Sequence, residues 1–161
     1  MSVSPVKDPI PLLDFRHFDA GPAVRTAFLS QLRTAAHEVG FFYLDGHGIA
    51  PDLQRDSMNL ARRFFALPQA QKLAIEMVNS PHFRGYNRVA SEYTRGRRDW
   101  REQLDIGSEN PAPSTDPAAP AWARLRGPNQ WPPALPELRP VITRWQTATM
   151  HLAIRLLQAF A

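Results

Sequence analysis

The 161-residue sequence contains no cysteine. This absence excludes disulfides, thiolate metal sites and cysteine nucleophiles. Long apolar runs are also missing, because no stretch approaches the roughly 18 apolar residues that are needed to span a membrane. Charged residues within the first thirty positions interrupt any apolar segment of a secretory signal. We therefore expect a soluble, cytoplasmic chain with no membrane partner.

The composition otherwise suits a folded domain. Hydrophobic residues make up 43% of the chain, with four tryptophans and nine phenylalanines, so a packed core is expected. Proline is the anomaly, since 16 of 161 residues is about twice the average usage. More than half of these prolines lie between residues 111 and 140, which predicts a long loop there.

The charge is moderately basic, with a formal net charge of +4. All but two of the nineteen basic residues are arginines, and they are spread along most of the chain. Acidic residues bracket the one local arginine cluster and partly cancel its charge, which argues against a nucleic-acid partner. The cluster is Arg95, Arg97, Arg98 and Arg101, and its acidic neighbours are Glu92, Asp99 and Glu102.

The pattern in the first half predicts alternating strands and helices. Residues 10–15 suggest an edge strand, and residues 23–39 have helical spacing with Gly40 as the stop. The aromatic residues 41–44 predict a buried strand that ends in a turn. A second helix is expected over residues 53–65, and Pro68 can open a further short helix.

The second half is less regular. Residues 79–100 show no clear period, residues 102–106 predict a weak strand, and residues 110–136 predict a loop lying over a surface. From Leu138 to Phe160 the apolar residues draw one stripe along a helix of about six turns. The chain ends inside that pattern without a stop signal, which suggests a cut chain. Three short strands are too few for a closed barrel, so most of the sheet that these helices should cover is expected to be missing.

Six short motifs, taken in order, resemble the N-terminal domain of the isopenicillin N synthase-like family of 2-oxoglutarate- and Fe(II)-dependent dioxygenases. The resemblance covers about residues 9–161. Each motif alone is weak, and the order of all six is what makes the resemblance specific. They are Ile-Pro-Leu-Leu-Asp at 10–14, Gly-Phe-Phe-Tyr-Leu with His-Gly-Ile at 40–49, Phe-Phe-Ala-Leu-Pro with Lys at 64–72, Gly-Tyr at 85–86, Asp-Trp-Arg-Glu-Gln-Leu-Asp-Ile-Gly at 99–107, and Gly-Pro-Asn-Gln-Trp-Pro at 127–132.

This resemblance implies an α/β chain that is the N-terminal, helical-plus-few-strands part of a double-stranded β-helix (jelly-roll) oxygenase. Such enzymes hold Fe(II) with a His-x-Asp pair and a distant histidine, which leaves positions open for 2-oxoglutarate and oxygen. In the family these ligands follow the long helix. The implied divisions are an N-terminal domain over residues 1–109, a proline-rich loop over 110–134 and a helix over 135–161 leading into an absent jelly-roll domain. No catalytic residue and no metal ligand is then expected in this chain.

The resemblance also implies a place for the substrate, because residues around the family's Gly-Tyr contribute to the substrate pocket. Arg84 and Arg88 are candidates to bind a substrate carboxylate, and Tyr86 is a candidate aromatic wall with a polar tip. The alternative is that Tyr86 belongs to the core and that both arginines are solvated. The arginines from Arg95 to Arg101 are expected to form a solvated surface, with contact to an acidic substrate as the alternative.

Other residues favour structural roles. His17-Phe18-Asp19 spells His-x-Asp, which in an extended strand could reach one metal, but the simpler interpretation is a polar segment after the first strand. His47 is expected to bond backbone in a turn, and His37 to lie at a helix C-terminus. Neither His82 nor His151 has a metal partner at useful spacing. Trp100 and Trp131 are expected to be packing residues.

Three functional hypotheses follow. The first is the N-terminal part of an enzyme that couples decarboxylation of 2-oxoglutarate to oxidation of a small organic molecule, with Fe(II) as cofactor. On this hypothesis the chain alone is inactive and its partner is the missing jelly-roll domain. The second is a non-catalytic interaction module that docks through the apolar stripe from Leu138 to Phe160. The third is the nucleic-acid binder already disfavoured by the charge pattern.

Overall fold

The computed structural model describes residues 10–90, 93–113 and 118–161, and these form two compact units. The first unit combines Met1–Ile49 with Ala148–Ala161, and the second is Ala50–Thr147. The chain is thus divided after Ile49 and Thr147, whereas the sequence suggested divisions after residues 109 and 134. Each unit has a hydrophobic core of its own.

In the first unit, strand β1 (Leu12–Asp14) pairs in parallel with β2 (Tyr43–Asp45). The connection between them contains a 3-10 helix over Phe15–Asp19, helix α1 (Pro22–Thr34) and a π-helical turn over Ala35–Val39. Gly40 ends this helical run in the left-handed region with φ of 88°, and its N–H donates to the Ala35 carbonyl at 3.0 Å. The predicted helix over residues 23–39 and its glycine stop are confirmed.

The first core is built around three phenylalanine rings. The ring centroids of Phe15, Phe18 and Phe28 lie 5.5 to 6.2 Å apart, within the range of favourable aromatic pairs. The same cluster includes buried Leu13, Leu32 and Ala35, and half-buried Leu152 and Leu156 from the end of the last helix pack against it.

The prediction that residues 41–44 form a buried strand is wrong in its burial. The strand covers only Tyr43–Asp45, so Phe41 and Phe42 lie before it. Phe41 and Tyr43 are exposed, as is Leu12, the register partner of Tyr43. Successive side chains on a strand point to opposite faces. Leu13 and Leu44 therefore face the core, while Leu12 and Tyr43 share a face that no described residue covers.

The second unit begins with helices α2 (Pro51–Phe65) and α3 (Gln69–Leu73). Strand β3 (Gly85–Asn87) pairs antiparallel with β6 (Gln103–Asp105), and β4 (Tyr93–Thr94) pairs with β5 (Arg97–Arg98) in a hairpin between them. The predicted strand at 102–106 is confirmed, whereas β3 lies in a segment that had no predicted structure. The core of this unit is formed by Leu60, Phe64, Ile75, Tyr86, Leu135, Leu138 and Val141.

The proline-rich segment is only partly a surface loop. Residues 118–126 are mostly exposed and include a 3-10 helix at Ala121–Leu125. Further on, the chain is still irregular, as predicted, but Asn129, Pro132 and Leu135 are buried while Pro128, Pro133 and Ala134 are exposed, so this part of the loop is anchored in the unit. The side chains of Asn129 and Gln130 hold this segment in place through hydrogen bonds to backbone groups of Gly107, Glu76 and Arg84.

Helix α4 (Leu138–Phe160) confirms the predicted long helix. Its predicted stripe is used within the chain, since Leu138 is buried in the second core and Leu152 and Leu156 pack in the first. The exposed apolar residues on its last turns are Met150, Ile154, Leu157 and Phe160. The first three are spaced by four and three residues and lie on the face opposite Leu152 and Leu156. Neither α4 nor any other helix in the described ranges has the apolar length that crossing a bilayer requires.

Candidate functional site

The two-stranded ribbon of β3 and β6 has two chemically different faces. Its register pairs Gly85 with Asp105, Tyr86 with Leu104 and Asn87 with Gln103. Because side chains alternate along a strand, Tyr86 and Leu104 share the face that packs in the second core. The opposite face carries polar side chains from both strands.

Glycine is required at the start of this ribbon. Gly85 has φ of +122°, and a Cβ built there would overlap the Ile75 carbonyl oxygen and the side chain of Gln130. The close approach allows Tyr86 N–H to donate to that carbonyl at 2.8 Å. Gly85 thus lets β3 run against the segment that follows α3.

Tyr86 lies in the core rather than on a surface. Its side chain is 1% exposed, and its hydroxyl donates to Oε2 of Glu102 at 2.6 Å. Buried Lys72 donates to the same oxygen at 2.7 Å, and its Nζ lies 5.3 Å from the Tyr86 ring centroid. Lys72, Tyr86 and the half-buried Glu102, named here the buried triad, join α3, β3 and the residue that precedes β6. This placement favours a packing role for Tyr86.

The charges of the buried triad stabilise one another. Hydrogen bonds from Lys72 and then from Tyr86 lower the pKa of Glu102, and the bond to Glu102 raises the pKa of Lys72. Burial, followed by the bond to Glu102, raises the pKa of Tyr86. All three side chains therefore keep their usual protonation states at neutral pH.

The two candidate arginines have different partners. Arg84 donates from Nη1 to the carbonyls of His82 and Phe83, both at 3.0 Å, and from Nη2 to the Leu125 carbonyl at 3.2 Å. Its Nε is buried without a hydrogen-bond partner in the described structure. Arg88 is 51% exposed and forms an ion pair with Glu76 at 2.5 Å. Both guanidinium groups thus hold the chain locally.

The polar face of the ribbon converges on Asp105. Its Oδ2 accepts from Nδ2 of Asn87 at 3.1 Å and from Nε2 of Gln103 at 3.0 Å. All three side chains are half-buried. Sequence reasoning missed this group, although alternation from Tyr86 and Leu104 would have placed these residues together on the face away from the core.

The motif at 127–132 fixes the end of the ribbon. Asn129 is buried, its amide oxygen accepts from Gly107 N–H at 2.9 Å, and its Nδ2 donates to the Gly107 carbonyl at 2.9 Å. The same Nδ2 also donates to Glu109 at 2.8 Å. Gln130 similarly donates to the carbonyls of Glu76 at 3.0 Å and Arg84 at 2.8 Å. Hydrogen bonds from this segment therefore hold the backbone before β3 and the backbone after β6.

We expect Asn129→Ala to lower the free energy of unfolding by about 2 kcal/mol, because it leaves the N–H of the half-buried Gly107 without its acceptor and the Gly107 carbonyl with only the bond from Gln146 at 3.2 Å. Urea denaturation would measure this loss. Asn110→Ala is the matched control, since Asn110 makes only an exposed bond to the Ser108 carbonyl, and it should cost less than about 0.5 kcal/mol. Equal effects of the two substitutions would contradict the assigned role.

No group of three histidine, aspartate or glutamate side chains within the described ranges is placed to hold a metal ion. His17 and Asp19 lie in a 3-10 helix rather than an extended strand, and Asp19 forms an ion pair with Arg155. The bonding predicted for His47 is confirmed, since its Nδ1 accepts from Ile49 N–H at 3.1 Å. His37 lies in the last helical turn, as predicted, and His82 donates from Nδ1 to the Arg124 carbonyl at 2.7 Å.

The arginine cluster lies on and beside the β4–β5 hairpin. Arg95, Arg97 and Arg98 are exposed, and Nε of Arg98 donates to the Tyr93 hydroxyl at 2.9 Å. Arg101 lies 3.8 Å from Asp99, while Glu92, the other acidic neighbour before the hairpin, lies outside the described residues. The prediction of a solvated surface agrees with this exposure.

The two tryptophans have different environments. Trp131 packs against the second core and donates to Glu109 at 3.1 Å, so its predicted packing role is confirmed. Trp100 is 81% exposed, so the prediction of packing is wrong for this residue. It follows the hairpin directly, where no described element covers it.

Comparison with known proteins gives consistent matches. The family described as non-haem dioxygenase in morphine synthesis N-terminal matches residues 10–134. The 2-oxoglutarate-dependent dioxygenase frbJ of Dothideomycetidae sp. (strain 11243) is 40% identical over 96% of this chain. Homoarginine-6-hydroxylase 2-ODD-C23.2 of Arabidopsis thaliana is 30% identical over 99% of the chain. The chain spans only 41% and 44% of the length of these two relatives.

Two solved structures also match nearly the whole of this chain but less than half of the other protein. A full-length protein of Neurospora crassa, crystallised in complex with alpha-KG, superposes with a TM-score of 0.70 at 25% identity. That match covers 93% of this chain and 45% of the Neurospora protein. A putative 2OG-Fe(II) oxygenase family protein from Caulobacter crescentus shares the fold with a TM-score of 0.71 at 22% identity, over 93% of this chain and 47% of that protein.

Proposed function

The chain belongs to the family of 2-oxoglutarate-dependent dioxygenases, whose N-terminal region it matches, and we propose that it supports the oxidation of a small organic substrate in such an enzyme. The observation that carries this proposal is the 40% identity to a 2-oxoglutarate-dependent dioxygenase over nearly the whole chain. In this proposal the chain contributes fold support and one wall of the substrate pocket.

We propose that the cofactor site lies outside this chain. The described residues contain no group suited to Fe(II), so they do not fit the metal that the family implies. The relatives are more than twice as long as the matched region. Their unmatched part, a jelly-roll barrel in this proposal, would hold Fe(II) and 2-oxoglutarate, which together would activate molecular oxygen, the oxidant of the reaction. The chain alone is then inactive.

The exposed apolar residues of the first unit are the proposed contact with that barrel. The most exposed of them are Leu12, Phe41 and Tyr43 around the β1–β2 pair and Met150 and Leu157 on α4, and Ile154 and Phe160 on α4 are exposed as well. Apolar groups at such density favour burial against another surface. The alternative of a docking module that uses the stripe from Leu138 to Phe160 has no support, because Leu138, Leu152 and Leu156 already pack inside this chain.

The predicted substrate residues take definite roles in this proposal. Arg88, exposed and paired with Glu76, is the candidate to exchange its partner for a substrate carboxylate. Arg84 is the second candidate for the same carboxylate, and binding there would require its guanidinium to give up bonds to the three carbonyls that hold it. Tyr86 acts by holding the ribbon in place, since its hydroxyl is bonded to Glu102.

Two samples test this function. The first is the 161-residue chain alone, and the second is this chain fused to the unmatched C-terminal part of the frbJ relative. With Fe(II), 2-oxoglutarate and oxygen, we expect succinate from the fusion only, because the described residues of the chain contain no metal site. Succinate would be measured by mass spectrometry, with the intact relative as the positive control.

Either of two outcomes would contradict the proposal. Succinate formed by the chain alone would mean that its own residues hold the iron. A folded fusion that forms no succinate, while the intact relative is active under the same conditions, would mean that this chain does not serve as the N-terminal part of such an enzyme. Circular dichroism of the fusion would establish that it is folded.

A further inference from the structure

Asp105 is exceptional among the half-buried carboxylates of the second unit. The four others each have a cationic partner, and all of these ion pairs lie within 3.8 Å. Asp105 has no lysine, arginine or histidine partner in the described part of the chain. The paired carboxylates are Glu76 with Arg88, Asp99 with Arg101, Glu102 with Lys72 and Glu137 with Arg63.

The carboxylate of Asp105 is held in one orientation. Two side-chain amides donate to Oδ2, from Asn87 on β3 and from Gln103 on β6 itself. A carboxylate has about four acceptor positions, two on each oxygen. The two amides fill those of Oδ2, while Oδ1 accepts no hydrogen bond from the described residues. The amides thus fix the group without neutralising its charge.

We propose that Asp105 binds a cationic nitrogen of the substrate, an amine or a guanidinium group, through Oδ1. This inference rests on the proposed function, because it names the class of substrate for the same pocket wall. A positively charged N–H donor supplies the missing counter-charge and fills the open acceptor positions with charge-assisted hydrogen bonds. Asn87 and Gln103 are positioning residues, since they act through Asp105.

The ribbon is suited to this role by its construction. Its other face is anchored in the second core through Tyr86 and Leu104, so the polar face is supported by packed side chains. Both strands contribute to the group, and Asn129 fixes the backbone two residues beyond Asp105. A recognition group on paired strands is held more firmly than one on a free loop.

The test is a titration of the 161-residue chain with agmatine, which carries both an amine and a guanidinium group. Two-dimensional ¹H–¹⁵N spectra report the side-chain amides of Asn87 and Gln103 directly, and glutarate serves as the anionic control. We expect saturable shifts of both amide signals with agmatine and none with glutarate. Dispersion of the backbone signals in the same spectra reports folding.

Two variants separate specific binding from general attraction of a cation. Asp105→Asn removes the charge and should weaken agmatine binding by at least about tenfold. Asp56→Asn removes the same charge from an exposed position on α2 and should leave the affinity unchanged. If the two variants weaken binding equally, the attraction is non-specific and the proposal is overturned.

The titration of the wild-type chain tests the assignment of Asp105 by itself, without either variant. Agmatine that leaves both amide signals unmoved would overturn the assignment of Asp105, and so would shifts confined to other parts of the chain. The titration requires neither iron nor 2-oxoglutarate. A titration without binding would therefore not affect the proposed role in substrate oxidation. Conversely, a fusion that forms no succinate would contradict the proposed function but would not change the result of the titration.

Discussion

Replacing Phe64 by alanine is expected to lower the free energy of unfolding of the second unit by about 3 to 5 kcal/mol. Phe64 is fully buried in the second core. Its ring meets those of Phe65 and Tyr86 edge-on, with centroids 5.2 and 6.0 Å away. Truncation loses the burial of the ring and both aromatic contacts, and it leaves a cavity. Urea denaturation followed by circular dichroism would measure the loss.

The neighbouring residue supplies the control for that experiment. Phe65 belongs to the same helix and loses the same atoms on mutation to alanine, but it is only partly buried against the core. We expect Phe65→Ala to cost less than half as much as Phe64→Ala, because less apolar surface returns to water. A loss below about 1.5 kcal/mol for Phe64→Ala would mean that this core is less tightly packed than the structure shows.

Glu102→Ala is expected to cost about 3 kcal/mol, because it leaves the buried ammonium group of Lys72 without a counter-charge. Lys72 would keep the Phe65 carbonyl, a neutral acceptor, at 3.2 Å. The Tyr86 hydroxyl would also lose its acceptor at 2.6 Å. Chemical denaturation of the variant and the parent protein would measure the difference.

The double variant Lys72→Met/Glu102→Leu separates the charge effect from the loss of contacts. Replacing both partners by apolar side chains removes the uncompensated charge, so the double variant should be more stable than Glu102→Ala. A double variant that is as unstable as the single one would show that loss of packing, and not the buried charge, dominates.

The buried triad also sets a pH dependence. Glu102 has a lowered pKa in the folded state, so its contribution is present above its unfolded pKa and is lost as pH falls through the folded value. Lys72 has a raised pKa, so its contribution is present below its unfolded pKa and is lost as pH rises through the folded value. The pair therefore contributes to the free energy of unfolding at neutral pH. In Glu102→Gln, the free energy of unfolding should fall less steeply as the pH is lowered below neutral.

The sequence predicted the helices well because their signals are local. The spacing of apolar residues predicted α1 and α2. Gly40 predicted the end of the first helical run, because this end requires a residue that adopts the left-handed conformation. Strand β3 was missed because three residues carry no period, and this strand exists only through its pairing with β6 sixteen or more positions away. The exposure of Tyr43 could not be predicted, since the same aromatic run is compatible with a covered or an uncovered sheet face.

The candidate site shows the same limit. The family resemblance pointed to residues Arg84 to Arg88, and this stretch contains β3. The sequence of so short a strand does not reveal which of its faces is buried. A shift of one position moves every side chain to the other face. Tyr86 therefore lies in the core, while its neighbour Asn87 lies on the polar face with Asp105. The pairing of Asn129 with Gly107 depends on contacts that a local pattern does not contain.

The first unit is assembled from two stretches of chain that lie on either side of the second unit in the sequence. Asp19 and Arg155, which form an ion pair, are 136 positions apart. Closing an unstructured loop of about 100 residues costs about 4 kcal/mol of chain entropy. Ala50–Thr147 has contacts of its own at shorter separations, so it can condense first and reduce that cost. During synthesis, the phenylalanine cluster then stays incomplete until the last turns of α4 have left the ribosome.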